Sequence, residues 1–346
     1  MTRITLPRPD DWHLHLRDGA ALAAVAKFSA ARFGRAIVMP NLRPPVTTTE
    51  LAAAYRGRIL GALPADSPFE PLMTLYLTDD TPPAEIDRAR ASGLIHGVKL
   101  YPAGATTHSD AGVRHLGGLD AVFDRMQERG MPLLIHGETT DPAVDVFDRE
   151  ARFIDERLLP LLGRFPGLKV VFEHLTTAYG VQVVRGARAG VAATLTPQHL
   201  LENRNAIFAG GIRTHHYCLP VLKRESDRRA LLAAATSGNP RFFLGTDSAP
   251  HERAAKEAAC GCAGMFTAHA AIELYAEAFE GAGRLDRLTG FASHFGADFY
   301  GLPRNAAPLT LVREAWIAPD AYPFAGGQVV PYRAGQPIPW RLADAP

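Results

Sequence analysis

The sequence predicts a (β/α)8 barrel, and three observations carry that prediction. Eight short apolar runs recur along the chain up to about residue 245. Between them lie segments whose apolar residues return every three to four positions, the period of a helix with one buried face. Several of the runs are continuously apolar, among them Ala36-Ile37-Val38-Met39, Leu133-Leu134-Ile135 and Val170-Val171-Phe172. That pattern suits strands buried on both faces, as in parallel sheets. A doubly wound open sheet has the same alternation, but eight regular units favour closure at the ~250 residues such barrels occupy.

In chain order, the predicted strands are 12–16, 35–39, 71–77, 97–100, 133–136, 169–174, 191–195 and 241–245. The predicted helices are 20–32, 48–60, 83–91, 119–129, 148–162, 177–188 and 226–235. Gly34, Gly93, Gly130, Gly163 and Gly190 follow or close several of them and serve as stop signals. Thr177 and Ser226 are candidate N-caps, since a short hydroxyl side chain can accept from a free backbone N–H of the first turn. After about Pro250 the pattern predicts two or three further helices. A Pro/Gly-rich tail from about Gly301 carries β-like pieces at Thr310-Leu311-Val312 and Gln328-Val329-Val330. No linker, repeat or low-complexity segment divides the chain, so 1–346 is read as one barrel domain with a C-terminal extension from about residue 252.

Composition narrows the class of function. Of 346 residues, 37 are Lys or Arg and 36 are Asp or Glu, a formal net charge of +1. That balance argues against duplex nucleic acid or an anionic membrane as partner, while leaving room for a small anionic ligand. No apolar run approaches the ~18 residues of a membrane span. The first residues lack the apolar stretch of a secretory signal. Three cysteines, Cys218, Cys260 and Cys262, are too few for a disulfide framework, and a reducing cytoplasm is expected.

Polar residues concentrate where such a barrel keeps its chemistry, at the C-terminal ends of the strands. His13-Leu14-His15 places two imidazoles on one face at strand period two. Neutral imidazoles suit a borderline metal such as Zn²⁺. Asn41 follows the second strand, Lys99 lies in the fourth, His136 and His174 end the fifth and sixth, and Asp247 and His251 follow the eighth. Taken singly, each has an ordinary explanation: incidental or core histidines, a helix N-cap for Asp247, a surface ion pair with Asp18 for Arg17. A lysine in a buried strand needs a partner. Either it pairs with a carboxylate such as Asp247, or its neutral amine has taken up CO₂ to become an anionic carbamate that can bridge two metals. Asp247 could ligate a metal and exchange a proton with metal-activated water. The small, polar loop Pro102-Ala103-Gly104-Ala105-Thr106-Thr107-His108-Ser109-Asp110 follows the fourth strand. It could act as a lid, although its composition favours an ordinary solvated loop. Cys260-x-Cys262 is too tightly spaced and too isolated for a zinc site; reduced thiols are expected there. His215-His216 are adjacent and point apart, which disfavours ligation.

The ordered set resembles the amidohydrolase superfamily and, within it, the short bacterial dihydroorotases. It comprises Asp11-Trp12-His13-Leu14-His15-Leu16-Arg17-Asp18, Met39-Pro40-Asn41-Leu42, Val98-Lys99-Leu100-Tyr101-Pro102-Ala103, His136-Gly137-Glu138, Glu173-His174, Thr196-Pro197-Gln198-His199-Leu200, Tyr217-Cys218-Leu219-Pro220 and Gly245-Thr246-Asp247-Ser248-Ala249-Pro250-His251. Cys260-Gly261-Cys262-Ala263-Gly264 and Phe299-Tyr300-Gly301-Leu302-Pro303 extend the likeness, which runs from about residue 3 to about 315. The resemblance implies two zinc ions. His13, His15 and Asp247 would hold one, His136 and His174 the other, with N6-carboxylated Lys99 and a hydroxide between them. It implies reversible interconversion of L-dihydroorotate and N-carbamoyl-L-aspartate, with the hydroxide attacking the ring amide and Asp247 as general base, then acid. Arg17, Asn41 and His251 would bind the substrate carboxylate. Leu219 and Ala263 would meet the ring, with His15 and His136 also reaching substrate, and Thr106 and Thr107 would close the lid. The family further suggests a homodimer. Two alternatives remain open: another cyclic amidohydrolase of hydantoinase or allantoinase type, and a non-catalytic dihydroorotase-like scaffold. The former are longer and build a β-sandwich partly before the first barrel strand, for which His13 comes too early. The latter would be expected to lack ligand positions, and none is missing here.

Overall fold

The computed structural model describes residues 2–259 and 261–343. At its centre eight parallel strands neighbour one another in chain order. They are Asp10–Leu14, Arg35–Val38, Glu70–Tyr76, Ile95–Leu100, Leu133–His136, Val170–Glu173, Val191–Leu195 and Phe242–Leu244, the first to eighth barrel strands. Every predicted run overlaps its strand, and 133–136 and 191–195 coincide at both ends. The ring closes between first and eighth. Leu14 bridges Ser248 in parallel. The His15 N–H donates to the Ser248 carbonyl at 3.1 Å and the Asp247 N–H to the His13 carbonyl at 2.9 Å. A doubly wound sheet would place the first strand mid-sheet, so that alternative is excluded.

The connecting helices are Gly19–Arg32, Thr49–Gly61, Pro83–Ser92, Asp120–Arg129, Arg149–Phe153 running on to Arg164, Ala178–Gly186 and Glu225–Ala235. Thr177 caps its helix by accepting from the Gly180 N–H. Gly93 and Gly130 end theirs in the left-handed conformation, which glycine adopts without Cβ strain. Four end signals are corrected, and one is Gly190, which lies beyond a helix that ends at Gly186 and is capped by Ala187 in extended conformation. Ser226 lies inside its helix; Asp227 instead accepts from the Arg224 N–H at 3.2 Å. Gly163 lies within the helical turn Leu159–Arg164, which continues a π-turn at Ile154–Leu158. The first helix is capped by Phe33 in extended conformation rather than by Gly34.

Successive residues on each strand serve two cores, as a period of two requires. Val38, Leu75, Val98, Ile135 and Phe172 pack outward against the helices. Trp12, Ile37, Leu72, Leu134, Val171 and Phe243 pack inside the barrel. The C-terminal helix Phe295–Tyr300 plugs that interior from below. Tyr300 stacks on Trp12 with ring centroids 4.6 Å apart and planes 9° apart. Residue 296 is glycine because a Cβ there would lie 2.0 Å from the Trp12 indole nitrogen. The inner core is thus a buried apolar floor, and the layer above it holds the polar side chains.

The remaining predicted pieces also form strands. Arg3–Pro7 pairs antiparallel with Pro308–Val312, which pairs with Arg341–Leu342. Gly327–Val329 forms a hairpin with Tyr322–Phe324. The N-terminal strand was not among the predicted elements; the residues before the barrel thus do join a small outer sheet, though not a sandwich. Among the described residues no helix is long and apolar enough to cross a membrane.

Candidate active site

His13, His15 and Asp247 come together at the seam where the barrel closes. His13 Nε2 and His15 Nε2 are 3.2 Å apart, and they stand 3.3 and 3.1 Å from the same oxygen, Asp247 Oδ1. One donor atom from each of the three lies within 4.8 Å of the others. Trp12 and its neighbour His13 both face inward, which an unbroken strand forbids. A register shift between Asp11 and Leu14 supplies the irregularity, and such bulges re-aim side chains next to active sites. Asp11 fixes the seam from behind. Its Oδ1 accepts the N–H of His13 at 3.1 Å and of Thr246 at 2.9 Å, and its Oδ2 accepts the Thr246 hydroxyl at 2.6 Å. Asp247 is therefore held by strand closure; it caps no helix.

Lys99 is fully buried on the fourth strand. Its Nζ contacts Glu173 Oε2, so its carboxylate partner is Glu173 and not Asp247. Glu173 Oε1 lies 3.1 Å from His13 Nδ1. His136 ends the fifth strand, and its Nε2 is 2.9 Å from Glu138 Oε2. His174 follows the sixth strand with φ 40; its N–H donates to Thr194 Oγ1 at 2.8 Å. His174 Nδ1 is buried without a hydrogen-bond partner among the described residues. The His13–His174 and His136–His174 ring centroids are 4.9 and 4.8 Å apart, so all four histidines share one polar layer.

The charge states follow from burial and proximity. Burial alone would lower His13, but Glu173 and Asp247 together outweigh it and raise His13 to about 9. Burial pushes His15 down to about 4 and His174 well below the usual imidazole range, so both are neutral donors for a metal. Burial would raise Asp247 and Glu173. The neighbouring histidines overcome it at Asp247, and His13 with Lys99 at Glu173, so both carboxyls are held below their usual range. Burial lowers Lys99, against the attraction of Glu173. Two imidazole nitrogens facing one carboxylate oxygen, beside an orphaned third imidazole nitrogen, form a donor set matched to a cation of zinc-like preference.

The rim of this cavity gathers the predicted substrate residues. Arg17, Asn41, Leu219, Ala263, Thr106 and Thr107 line it together with His15, His136, His174 and Asp247. Arg17 Nε donates to the Pro250 carbonyl at 2.9 Å and its Nη2 lies 2.9 Å from His251 Nε2. Asp18 pairs with Arg58 instead, so Arg17 is no partner of Asp18. A guanidinium carries five N–H donors; with two so engaged, three face no protein acceptor among the described residues. His251 Nε2 is also 3.0 Å from the Ala263 carbonyl. A single ring nitrogen can accept from Arg17 or donate to Ala263, not both, so its tautomer sets how free Arg17 is. Asn41 Oδ1 meets His15 Nδ1 at 2.9 Å, and its amide donates to the Thr107 carbonyl at 3.1 Å. The loop 102–110 thus folds over the site through Asn41 and is not merely solvated.

Other candidates fall away. His215 pairs with Glu257 at 3.0 Å, and His216 packs against Tyr332. Cys218 and Cys262 are free thiols; Cys260 lies outside the described residues. Sequence reasoning did not single out Asp11, Glu138 or Glu173. Glu173 had a usable signal: counting by two from inward Val171 lands on it rather than on His174.

Residues 10–326 match the model of the amidohydrolase family. A dihydroorotase of Methylobacillus flagellatus is 67% identical over 343 residues, 99% of each chain. The crystal structure of a dihydroorotase from Campylobacter jejuni superposes with a TM-score of 0.90 at 36% identity, covering 99% of this chain and 97% of that one. The dihydroorotase from Saccharomyces cerevisiae, solved in complex with 5-fluoroorotic acid, superposes at 0.91 with 33% identity over 99% and 98% of the two chains.

Proposed function

The chain belongs to the amidohydrolase family, and from that premise and the geometry of its site we propose that it interconverts L-dihydroorotate and N-carbamoyl-L-aspartate, a step of de novo pyrimidine synthesis. One observation supports the assignment beyond the family: Arg17, which His251 contacts, and Asn41 line the cavity beside the His13–His15–Asp247 cluster, where they could receive a carboxylate. Hydantoin-type substrates without a carboxylate have no use for guanidinium donors that face no protein acceptor among the described residues. The 67% identity to a dihydroorotase over the full chain supports the same assignment.

His13, His15 and Asp247 would hold one zinc ion, and His136 and His174 a second, with Lys99 between them as a carbamate. The carbamate forms when the neutral ε-amine adds to CO₂: an N–C bond is made and one N–H proton is released. Full burial of Lys99, which disfavours its ammonium form, supports that chemistry. When bound, the metals supply Lewis acidity to water and to the amide carbonyl.

The chain's own groups do the rest. Arg17 can grip the substrate carboxylate through paired N–H donors, while Asn41 and His251 orient it. Backbone groups of Leu219 and Ala263 face the ring. In the hydrolytic direction the water oxygen bonds to the ring amide carbon and the C–N bond breaks. Asp247 takes a proton from the water and returns it to the departing nitrogen, so the carboxylate is regenerated each turnover. Its depressed pKa keeps it ionised and ready to accept at neutral pH. Thr106 and Thr107, on the loop over the site, would exclude bulk water once substrate is bound.

We read 1–346 as one catalytic domain with an extension from about 252; the outer sheet that joins residues 3–7 to 308–312 supports that reading. A cytoplasmic homodimer rests on the family likeness alone. The test of function is ring opening of L-dihydroorotate by zinc-loaded protein, run beside hydantoin and allantoin. Turnover confined to dihydroorotate is expected. Turnover of hydantoin or allantoin instead would give the substrate to the wider family. No turnover with zinc bound would favour a scaffold.

A further inference from the structure

We infer that Glu173 is a positioning residue that serves two metal-ligating side chains at once, His13 and Lys99, and so sets the geometry on which the proposed zinc pair depends. It stands at the last position of the sixth barrel strand, Val170–Glu173, with its side chain turned inward like that of Val171. It is 1% exposed. Its Oε2 contacts Lys99 Nζ and its Oε1 is 3.1 Å from His13 Nδ1. His13 Nδ1 and Glu173 Oε1 are both buried, and neither has a hydrogen-bond partner of good geometry among the described residues. Buried polar atoms seldom remain unpaired, and these two, 3.1 Å apart, would satisfy one another once the imidazole ring turns slightly.

The arrangement has two consequences. A carboxylate can only accept, so Nδ1 of His13 must carry the hydrogen. That fixes the tautomer whose Nε2 lone pair faces His15 and Asp247, the direction in which a metal would be bound. Carboxylates behind metal-binding histidines act in this way elsewhere. On the other side, an unmodified lysine donates to Oε2, and a carbamate keeps one N–H on the same nitrogen that can donate to it equally. Glu173 therefore fits Lys99 before and after CO₂ uptake and holds the nitrogen in place for it. A glutamine could not do both. It offers one accepting oxygen and one donating nitrogen, so whichever partner faces its NH₂ group meets donor against donor.

This inference rests on the binuclear reading above. The experiment compares wild type with Glu173→Gln by zinc affinity in chelator competition, by the carbamate resonance in ¹³C NMR after exchange with ¹³C-bicarbonate, and by kcat and KM. The expected result is zinc affinity weakened about 10- to 100-fold, a diminished carbamate resonance, and a fall in kcat that exceeds any change in KM. Equal zinc affinity and an equal carbamate resonance, with only thermal stability reduced, would make Glu173 a structural ion-pair partner and overturn the inference. Failure of the binuclear reading looks different, because the wild type itself would then bind fewer than two zinc ions and show no carbamate resonance. Should the variant not fold, ¹⁵N NMR of the zinc-loaded wild type decides the matter. Hydrogen on Nδ1 of His13 is expected, and hydrogen on Nε2 refutes the role.

Discussion

Replacing Asp247 by Asn isolates the proton-transfer role from the architecture. Asp247 has φ 46, a left-handed conformation that Asn tolerates nearly as well as Asp and that most side chains resist. The seam contact made by its backbone N–H to the His13 carbonyl survives the change. Alanine would add a backbone penalty of roughly 1–2 kcal/mol at such a position, so Asn is the cleaner probe. What is lost is the anionic oxygen 3.1 Å from His15 Nε2 and 3.3 Å from His13 Nε2, and with it the group that would accept a proton from water. General acid–base catalysis is worth about 10²- to 10⁴-fold, or roughly 3–5 kcal/mol of barrier. A loss of kcat in that range is expected, with the fold intact by circular dichroism. Since Asp247 is also a proposed ligand, zinc content must be measured on the same sample. A variant that holds its zinc and keeps kcat within about tenfold of wild type, below the range general bases supply, would refute the shuttle.

Three further predictions follow from the same geometry. Arg17→Ala removes a charge-assisted clamp worth about 2–3 kcal/mol, so KM for N-carbamoyl-L-aspartate should rise by about 10²-fold while kcat falls much less; unchanged apparent affinity would take Arg17 out of the carboxylate site. Zinc loading must displace the Nε2 proton that His13 carries as an imidazolium, on the side facing Asp247. Because that pKa is raised to about 9, the metal-free imidazole is protonated below it, and apparent zinc affinity should climb about tenfold per pH unit up to that point. A flat chelator-competition profile between about pH 6.5 and 8.5 would contradict the charge assignment. Thr194→Val leaves the His174 N–H without its acceptor at 2.8 Å. It should lower the unfolding free energy by about 1–3 kcal/mol and weaken zinc retention, and a denaturation midpoint equal to wild type would show that Thr194 anchors nothing.

The strands were legible because burial on both faces leaves an unmistakable mark. A run such as Leu133-Leu134-Ile135 has no solvated side, and the fifth strand begins and ends where that mark does. The site was legible because a polar residue in such a run is out of place unless it has work to do, and His13, Lys99 and His136 stand out against their neighbours for that reason. Helix ends were less readable. Ser226 is a plausible cap by type, yet Asp227 reaches the Arg224 N–H first, and local sequence does not rank the two. The strand Arg3–Pro7 was invisible, because its partner starts at Pro308 and nothing local announces a pairing across the whole chain.

What the sequence conceals most completely is backbone handedness, and the site depends on it. A strand offers only alternate residues to the barrel interior, so Glu173 and His174 should point to opposite faces. Both reach the site because His174 adopts φ 40, and the chain turns as the strand ends. Arg17 at φ 60 and Asp247 at φ 46 turn in the same way, one just beyond His15 and one at the barrel seam. None of the three is glycine, and each such conformation costs about 1–3 kcal/mol and persists only where its surroundings enforce it. The enforcing contacts are identifiable: Thr194 for His174, Asp11 through Thr246 for Asp247, and for Arg17 the Tyr55 hydroxyl donating to its carbonyl at 2.6 Å. Strain held at three positions that face one cavity is hard to account for as a requirement of the barrel, which closes through other contacts. It is accounted for if the site needs more inward-facing groups than eight strands of period two can deliver.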